Sequence, residues 1–280
     1  MKYLLNSILL FLILFFLSNI LSSCYSNKST LLLATTTSTE NSGLLDVLIP
    51  IFEEETDINV KTIAVGSGAA LRMGSRGDVD VLLVHSEEAE KLFMQKRYGL
   101  DRHFVMYNDF ILVGPAEDPA GIREMNDVVE ALNKIAQSGS KFISRGDSSG
   151  THVRERLLWS YTKIQSLSDE DWYIESGQGM GATLTITKET GAYTLSDRGT
   201  WLAMMNGDHL PLLMEGDVEM LNRYHIITVN PELHKAVNIN GAKQFRDFLL
   251  KSSVQKIIGE YGIEKYGQSL FTPNTKIELK

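Results

Sequence analysis

From Leu31 onward the chain alternates short apolar runs, loops of small polar residues and stretches with helical apolar spacing. Parallel strands need long crossovers, so this order predicts an α/β fold with a largely parallel sheet. Residues 31–34 read as a short buried strand and residues 35–39 as the loop after it. Leu44, Leu45, Leu48, Ile51 and Phe52 then recur on one helical face. Residues 58–65 read as a second strand, Gly66-Ser67-Gly68 as the opening of a helix, residues 79–84 as a third strand and residues 87–96 as a charged helix.

A second series follows Tyr107-Asn108-Asp109-Phe110, whose apolar continuation reads as a strand passing between two lobes. Residues 125–136 are expected to be helical and Phe142-Ile143 a strand. Val153, Leu157, Leu158, Tyr161 and Ile164 are expected to form the core face of the next helix. Residues 224–229 read as a strand returning to the first lobe, and two helices close the chain. The divisions this implies are residues 31–109 and 224–280 for one lobe and residues 110–223 for the other.

In open α/β sheets ligands sit beyond the carboxyl ends of strands, where helix N-termini present free N–H groups to anions. Three loops have that setting: residues 35–39, Gly66-Ser67-Gly68, and the turn from Ser144 through Arg145 and Gly146 to Thr151 and His152. A single hydroxyl would cap a helix, so five in a row from Thr35 point to ligand binding by Thr37 and Ser38, with Thr36 next. Ser67 reads equally as a ligand or as part of an ordinary glycine-serine turn. Arg145 can offer a planar fork to two oxygens of an oxyanion, or it can pair with Asp147, and the two are compatible because the carboxylate can fix the arginine's rotamer. The triplet Arg76-Gly77-Asp78 lacks the serine and threonine tail and reads as a helix end.

Gly146-Asp147-Ser148-Ser149-Gly150 also satisfies G-x-S-x-G in a strand-turn-helix setting, which raises a serine esterase with Ser148 as nucleophile. His209, His225 and His234 are the histidines that could act as base. A glycine-rich oxyanion loop is missing, and Arg145 and the hydroxyl loop have no role in that chemistry. His152 is expected on the helix surface, too close in sequence to its neighbours for a triad. No histidine spacing suits a metal; His85, before Glu87 and Glu88, is the best lone candidate and reads as a surface residue.

The first residues carry Lys2, an apolar run across residues 8–17, and Leu21-Ser22-Ser23-Cys24. This is the form of a secretory signal over residues 1–23 rather than of a fold element or an uncleaved membrane helix. Small residues before a lone cysteine resemble the bacterial lipoprotein cleavage box, which implies lipidation of Cys24 and a short tether over residues 24–30. Cys24 is the only cysteine, so an intrachain disulfide is excluded. A formal charge of −8 argues against nucleic acid as a partner, because phosphate backbones are held by clustered cations. It does not exclude a small anion, which responds to local groups.

Together, Ala34-Thr35-Thr36-Thr37-Ser38-Thr39 with Ser42-Gly43-Leu44-Leu45, Val65-Gly66-Ser67-Gly68, and the turn from Ser144 to His152 resemble the substrate-binding proteins of bacterial ABC transporters, in particular the tungstate-binding TupA family. Tyr107-Asn108-Asp109-Phe110 and Asn230-Pro231 fit the same resemblance, which spans the chain beyond the signal. It implies a two-lobed periplasmic-binding-protein fold, each lobe a mixed sheet flanked by helices, with the ligand in the cleft between them. The ligand set it implies is Thr36, Thr37, Ser38 and Ser67 from one lobe and Arg145, Ser149, Gly150 and Thr151 from the other, with residues 179–183 as a further contact. It further implies a monomeric, extracytoplasmic, lipid-anchored protein with no catalysis and no cofactor, serving a permease and its ATPase. Tungstate and molybdate are fully ionised and offer only acceptors, so a site of donors suits them, and Asp147 should turn away from the ligand. A related phosphate-binding protein can instead use its carboxylate as an acceptor.

Overall fold

The computed structural model describes residues 29–147, 149–205 and 210–274. The signal segment, Cys24, Ser148 and His209 lie outside the described residues.

Strand β1 (Ser29–Thr36) starts two residues earlier than the apolar run, taking Ser29 and Thr30 from the expected tether. It is followed by a short helix α1 (Thr37–Asn41) and by α2 (Leu44–Thr56). β2 (Ile58–Val65), α3 (Ser67–Arg76), β3 (Val81–Val84) and α4 (Glu87–Gln95) complete the first series. β1 lies between β3 and β2, parallel to both, with Thr36 opposite Val65 and Thr35 opposite Leu83. The loops after these three strands therefore open at one edge of the sheet.

Leu44, Leu45, Leu48 and Phe52 of α2 are buried against one face of this sheet. Their burial contributes roughly 6–12 kcal/mol before chain entropy is counted. Phe52 meets Phe245 and Phe248 edge-on at 5.0 and 5.4 Å between ring centroids. Those two rings belong to the returning C-terminal helix α9 (Ile239–Leu250). On the opposite face, Ala70 and Leu71 of α3 join Leu82, Val84 and Phe93. Asp80 ties the layers, accepting from Leu32 N and Asn238 N at 2.7 Å each.

One strand, β4 (Gly99–Val113), belongs to both lobes. Its first part pairs antiparallel with β9 (Leu221–Val229), from Gly99 opposite Val229 to Asp109 opposite Leu221. Its last four residues pair instead with β7 (Thr194–Asp197), from Phe110 opposite Asp197 to Val113 opposite Thr194, while Leu112 and Val113 also pair with β8 (Leu212–Met214). The sequence pattern showed only the apolar end of β4. Its earlier half carries Asp101, Arg102 and His103, whose charges hide the strand. Arg102 pairs with buried Glu90 at 2.8 Å, and Asp101 pairs with Arg246 at 2.6 Å.

The second lobe adds α5 (Val128–Ser138), β5 (Phe142–Ser144), α6 (Gly150–Ser160), β6 (Tyr173–Glu175), α7 (Met180–Thr190) and α8 (Arg198–Met205). β5 and β6 run parallel, with Ser144 opposite Glu175. Its core gathers Leu112, Leu132, Ile135, Phe142, Trp159 and Tyr193. The inward face of α6 differs from the expected one: Thr151, Glu155, Leu158 and Trp159 are buried, whereas Val153 is 60% exposed and Leu157 and Tyr161 also face outward. A buried carboxylate at Glu155 displaces the purely apolar stripe, and it serves the loop before the helix.

Candidate functional site

In the first lobe the hydroxyl loop folds back on itself. Thr36 caps α1: its Oγ1 accepts from Thr39 N at 3.2 Å and lies 2.7 Å from Thr39 Oγ1 and 3.0 Å from Ser38 Oγ. Thr36 and Thr39 are buried, while Thr37 and Ser38 are exposed. Ser67 opens α3 with Gly66 as its cap. Because Val65 stands opposite Thr36, the Gly66-Ser67-Gly68 turn and the hydroxyl loop leave the sheet side by side.

The second lobe contributes the turn after β5. Asp147 is turned onto its own loop: Oδ2 receives Arg145 Nη2 at 2.5 Å and Oδ1 receives Ser149 N at 3.1 Å. Burial alone would raise its pKa, but Ser149 and the Arg145 guanidinium hold the carboxyl below its ordinary value. Arg145 Nε is shielded from solvent with no hydrogen-bond partner among the described residues. Ser149 caps α6, accepting from His152 N at 3.4 Å, and leaves the first amides of an eleven-residue helix at the turn. Gly146 has φ +61°, and a Cβ there would stand 2.8 Å from Glu175 Cβ, so the turn needs glycine.

Behind the turn, Glu155 accepts from Ser144 Oγ at 2.9 Å and from Tyr173 Oη at 2.6 Å. Ser144 Oγ in turn accepts from Gly146 N at 3.2 Å. Burial pushes the Glu155 carboxyl up to about 7 against these hydrogen bonds. Beside the turn, Ser176 N donates to Ser144 O at 2.8 Å and Ser176 Oγ to Arg145 O at 3.3 Å. Ser176 Oγ also lies 3.0 Å from Thr183 Oγ1, which joins the segment capped by Gly179 to the arginine loop.

His85 departs from its reading as a surface residue. It follows β3, and its ring is wedged in a polar network. Nδ1 lies 2.8 Å from Asn222 Oδ1, and Nε2 lies 3.0 Å from Thr36 Oγ1 and 3.2 Å from Ser38 Oγ. The ring packs on Tyr224 at 4.6 Å between centroids. Its Cε1 is 3.6 Å from where a Cβ on Gly150 would stand, so the hydroxyl loop and the arginine turn come together around this imidazole. Neither Asn222 nor His85 carries a local sequence signal, since both act through partners far away in the chain.

The remaining sequence candidates lie elsewhere or in other roles. His225 pairs with Glu90 at 2.9 Å and His234 Nε2 lies 3.0 Å from Ser75 O. His152 is half-buried rather than on the helix surface, with its Nε2 out of reach of solvent. Ser148, the esterase nucleophile, lies outside the described residues. Among the described residues no group of three or more His, Cys, Asp or Glu could hold a metal ion. No described helix is long and apolar enough to cross a membrane.

The family described as PBP superfamily domain matches residues 25–253. The chain is 50% identical over 249 residues to the tungstate-binding protein TupA of Peptoclostridium acidaminophilum, covering 88% of this chain and 86% of that protein. Among solved structures, the tungstate-binding protein TupA from Desulfovibrio alaskensis G20 superposes with a TM-score of 0.83 at 45% identity, covering 88% of this chain and 99% of that one. A structure described as the tungstate ABC transporter from Geobacter sulfurreducens gives a TM-score of 0.70 at 43% identity, covering 83% of this chain and 98% of that one.

Proposed function

This chain belongs to the PBP superfamily and within it to the TupA family, and from that premise we propose that it captures tungstate outside the cytoplasm and hands it to an ABC permease driven by its ATPase. It is a binding protein and not an enzyme. The observation that carries the reading is the turned-in carboxylate: Asp147 spends both oxygens on Arg145 and Ser149 N. The arginine turn then offers the ligand donors only, including Arg145 Nε and the amides that open α6. A fully ionised tetrahedral oxyanion has acceptors only and matches such a site, whereas hydrogen phosphate brings a proton that needs an acceptor.

The ligand set in this reading is Thr36, Thr37, Ser38 and Ser67 from one lobe and Arg145, Ser149, Gly150 and Thr151 from the other. Molybdate shares the chemistry and is the alternative ligand. The lobes divide at residues 109 and 223, within β4 and near the start of β9. Residues 1–23 serve as a signal, Cys24 carries the lipid, and the protein works as a monomer.

Calorimetric titration with tungstate, molybdate, sulfate and phosphate tests the proposal. Tungstate should bind, with molybdate as its nearest rival and phosphate far weaker. Silence with all four ions would overturn it.

A further inference from the structure

His85 belongs to the proposed site but appears in no ligand set argued above, and its neighbours fix its chemistry. Asn222 Nδ2 donates to Asn108 Oδ1 at 2.8 Å and to Tyr224 Oη at 3.2 Å. The Asn222 amide therefore presents its oxygen to His85, and Nδ1 must carry a hydrogen to donate at 2.8 Å. In the neutral ring Nε2 is then a lone pair facing Thr36 and Ser38. One of those hydroxyls must donate inward to it, and that hydrogen is lost to a ligand.

A second proton on His85 reverses the direction of this bond. Nε2 becomes a donor to the hydroxyl oxygens, and one hydroxyl hydrogen is released to point into the cleft. From this geometry we infer that His85 is a proton-linked positioning residue: oxyanion binding draws a proton onto its imidazole, which turns a hydroxyl of the first lobe toward the anion. The inference rests on the oxyanion reading of the cleft.

The groups facing the ring determine which way the proton moves. Burial lowers the His85 pKa from its ordinary value, and the Asn222 bond with the charges of Glu90 and Asp197 offsets this only in part. Tyr224 packs on the ring and Gly150 meets its edge; neither supplies a cation. The empty site thus favours the neutral ring, and an arriving dianion favours the imidazolium. Binding and protonation are then reciprocal, so the affinity should rise as the pH falls through this window.

The test is calorimetry of the full-length chain in mild detergent with sodium tungstate, in buffers of different ionisation enthalpy from about pH 6.5 to about pH 8.5. The wild-type chain should take up on the order of one proton per tungstate and lose up to about tenfold in affinity per pH unit over the window. His85→Gln should bind without proton uptake and with a flat pH profile. Should that variant lose binding altogether, nitrogen NMR of the wild-type imidazole decides: the inference requires a neutral ring hydrogenated at Nδ1 when empty and a cation when filled. Buffer-independent enthalpies in a wild-type chain that does bind, or a ring that stays neutral on binding, would overturn the inference and leave the functional reading standing. A wild-type chain silent to tungstate and molybdate would overturn both.

Discussion

Arg198 clasps both oxygens of Asp109, Nε to Oδ1 at 2.7 Å and Nη2 to Oδ2 at 2.6 Å, at the point where β4 changes partner from β9 to β7. Its Nη2 also reaches Glu215. The two acids raise the Arg198 pKa further although burial opposes this. The fork joins the shared strand to the start of α8 and to the segment after β8. Replacing Asp109 by Ala leaves a largely buried guanidinium with only Glu215, and should cost about 2–4 kcal/mol. Urea unfolding of the two proteins checks this, and an unchanged midpoint would contradict it.

Arg145→Ala should weaken tungstate binding by roughly 100-fold or more, since a charged donor in a shielded site contributes about 1.5–3 kcal/mol per hydrogen bond. Arg145→Lys should recover only part of that loss, because an ammonium cannot both hold Asp147 and reproduce the planar fork. Calorimetry on the three proteins gives the ranking. Equal affinities would place the ligand away from this turn.

Gly146→Ala should disturb stability and binding together. Its backbone is left-handed and the added methyl would meet Glu175 at 2.8 Å. A loss of about 1–2 kcal/mol in stability is expected, with a weaker affinity because the amides that follow are displaced. A variant that melts like the wild type and binds equally well would show that the turn tolerates another shape.

Glu155 predicts a pH effect of known sign. Its carboxyl is pushed from an ordinary 4.5 up to about 7 in the fold, chiefly by burial. The folded state thus holds this proton more tightly than the unfolded chain. The associated stability is complete below about pH 4.5 and is lost as the pH rises through about 7, at no more than about 1.4 kcal/mol per unit. Glu155→Gln cannot ionise and should remove this slope from the melting temperature. Parallel pH profiles for the two proteins would refute the assignment.

The legible parts of the fold were those where one residue's own chemistry sets local structure. Residues 58–65 read as a strand and formed one over the same span, and Gly66-Ser67 opened a helix as expected. The turn of Asp147 onto Arg145 and Ser149 N fits the expectation drawn from an ionised ligand. Long-range partners carried what stayed hidden. The early half of β4 looks like a loop until Glu90 and Arg246 neutralise its charges. The buried face of α6 looks solvated until Ser144 and Tyr173 reach Glu155. His85 acquires a role only when Asn222, 137 residues later, fixes its tautomer.

β4 and β9 stay paired from Gly99 to Asp109, so two neighbouring chain segments run together up to the place where β4 changes partners. Such a ribbon flexes easily out of its own plane and resists sliding within it, because sliding would break the ladder of hydrogen bonds. Bending of that ribbon is therefore the movement that costs the pairing least. On the proposed reading, a permease that holds both lobes would release the anion by bending this one ribbon, with the loops at Thr36 and Arg145 left folded.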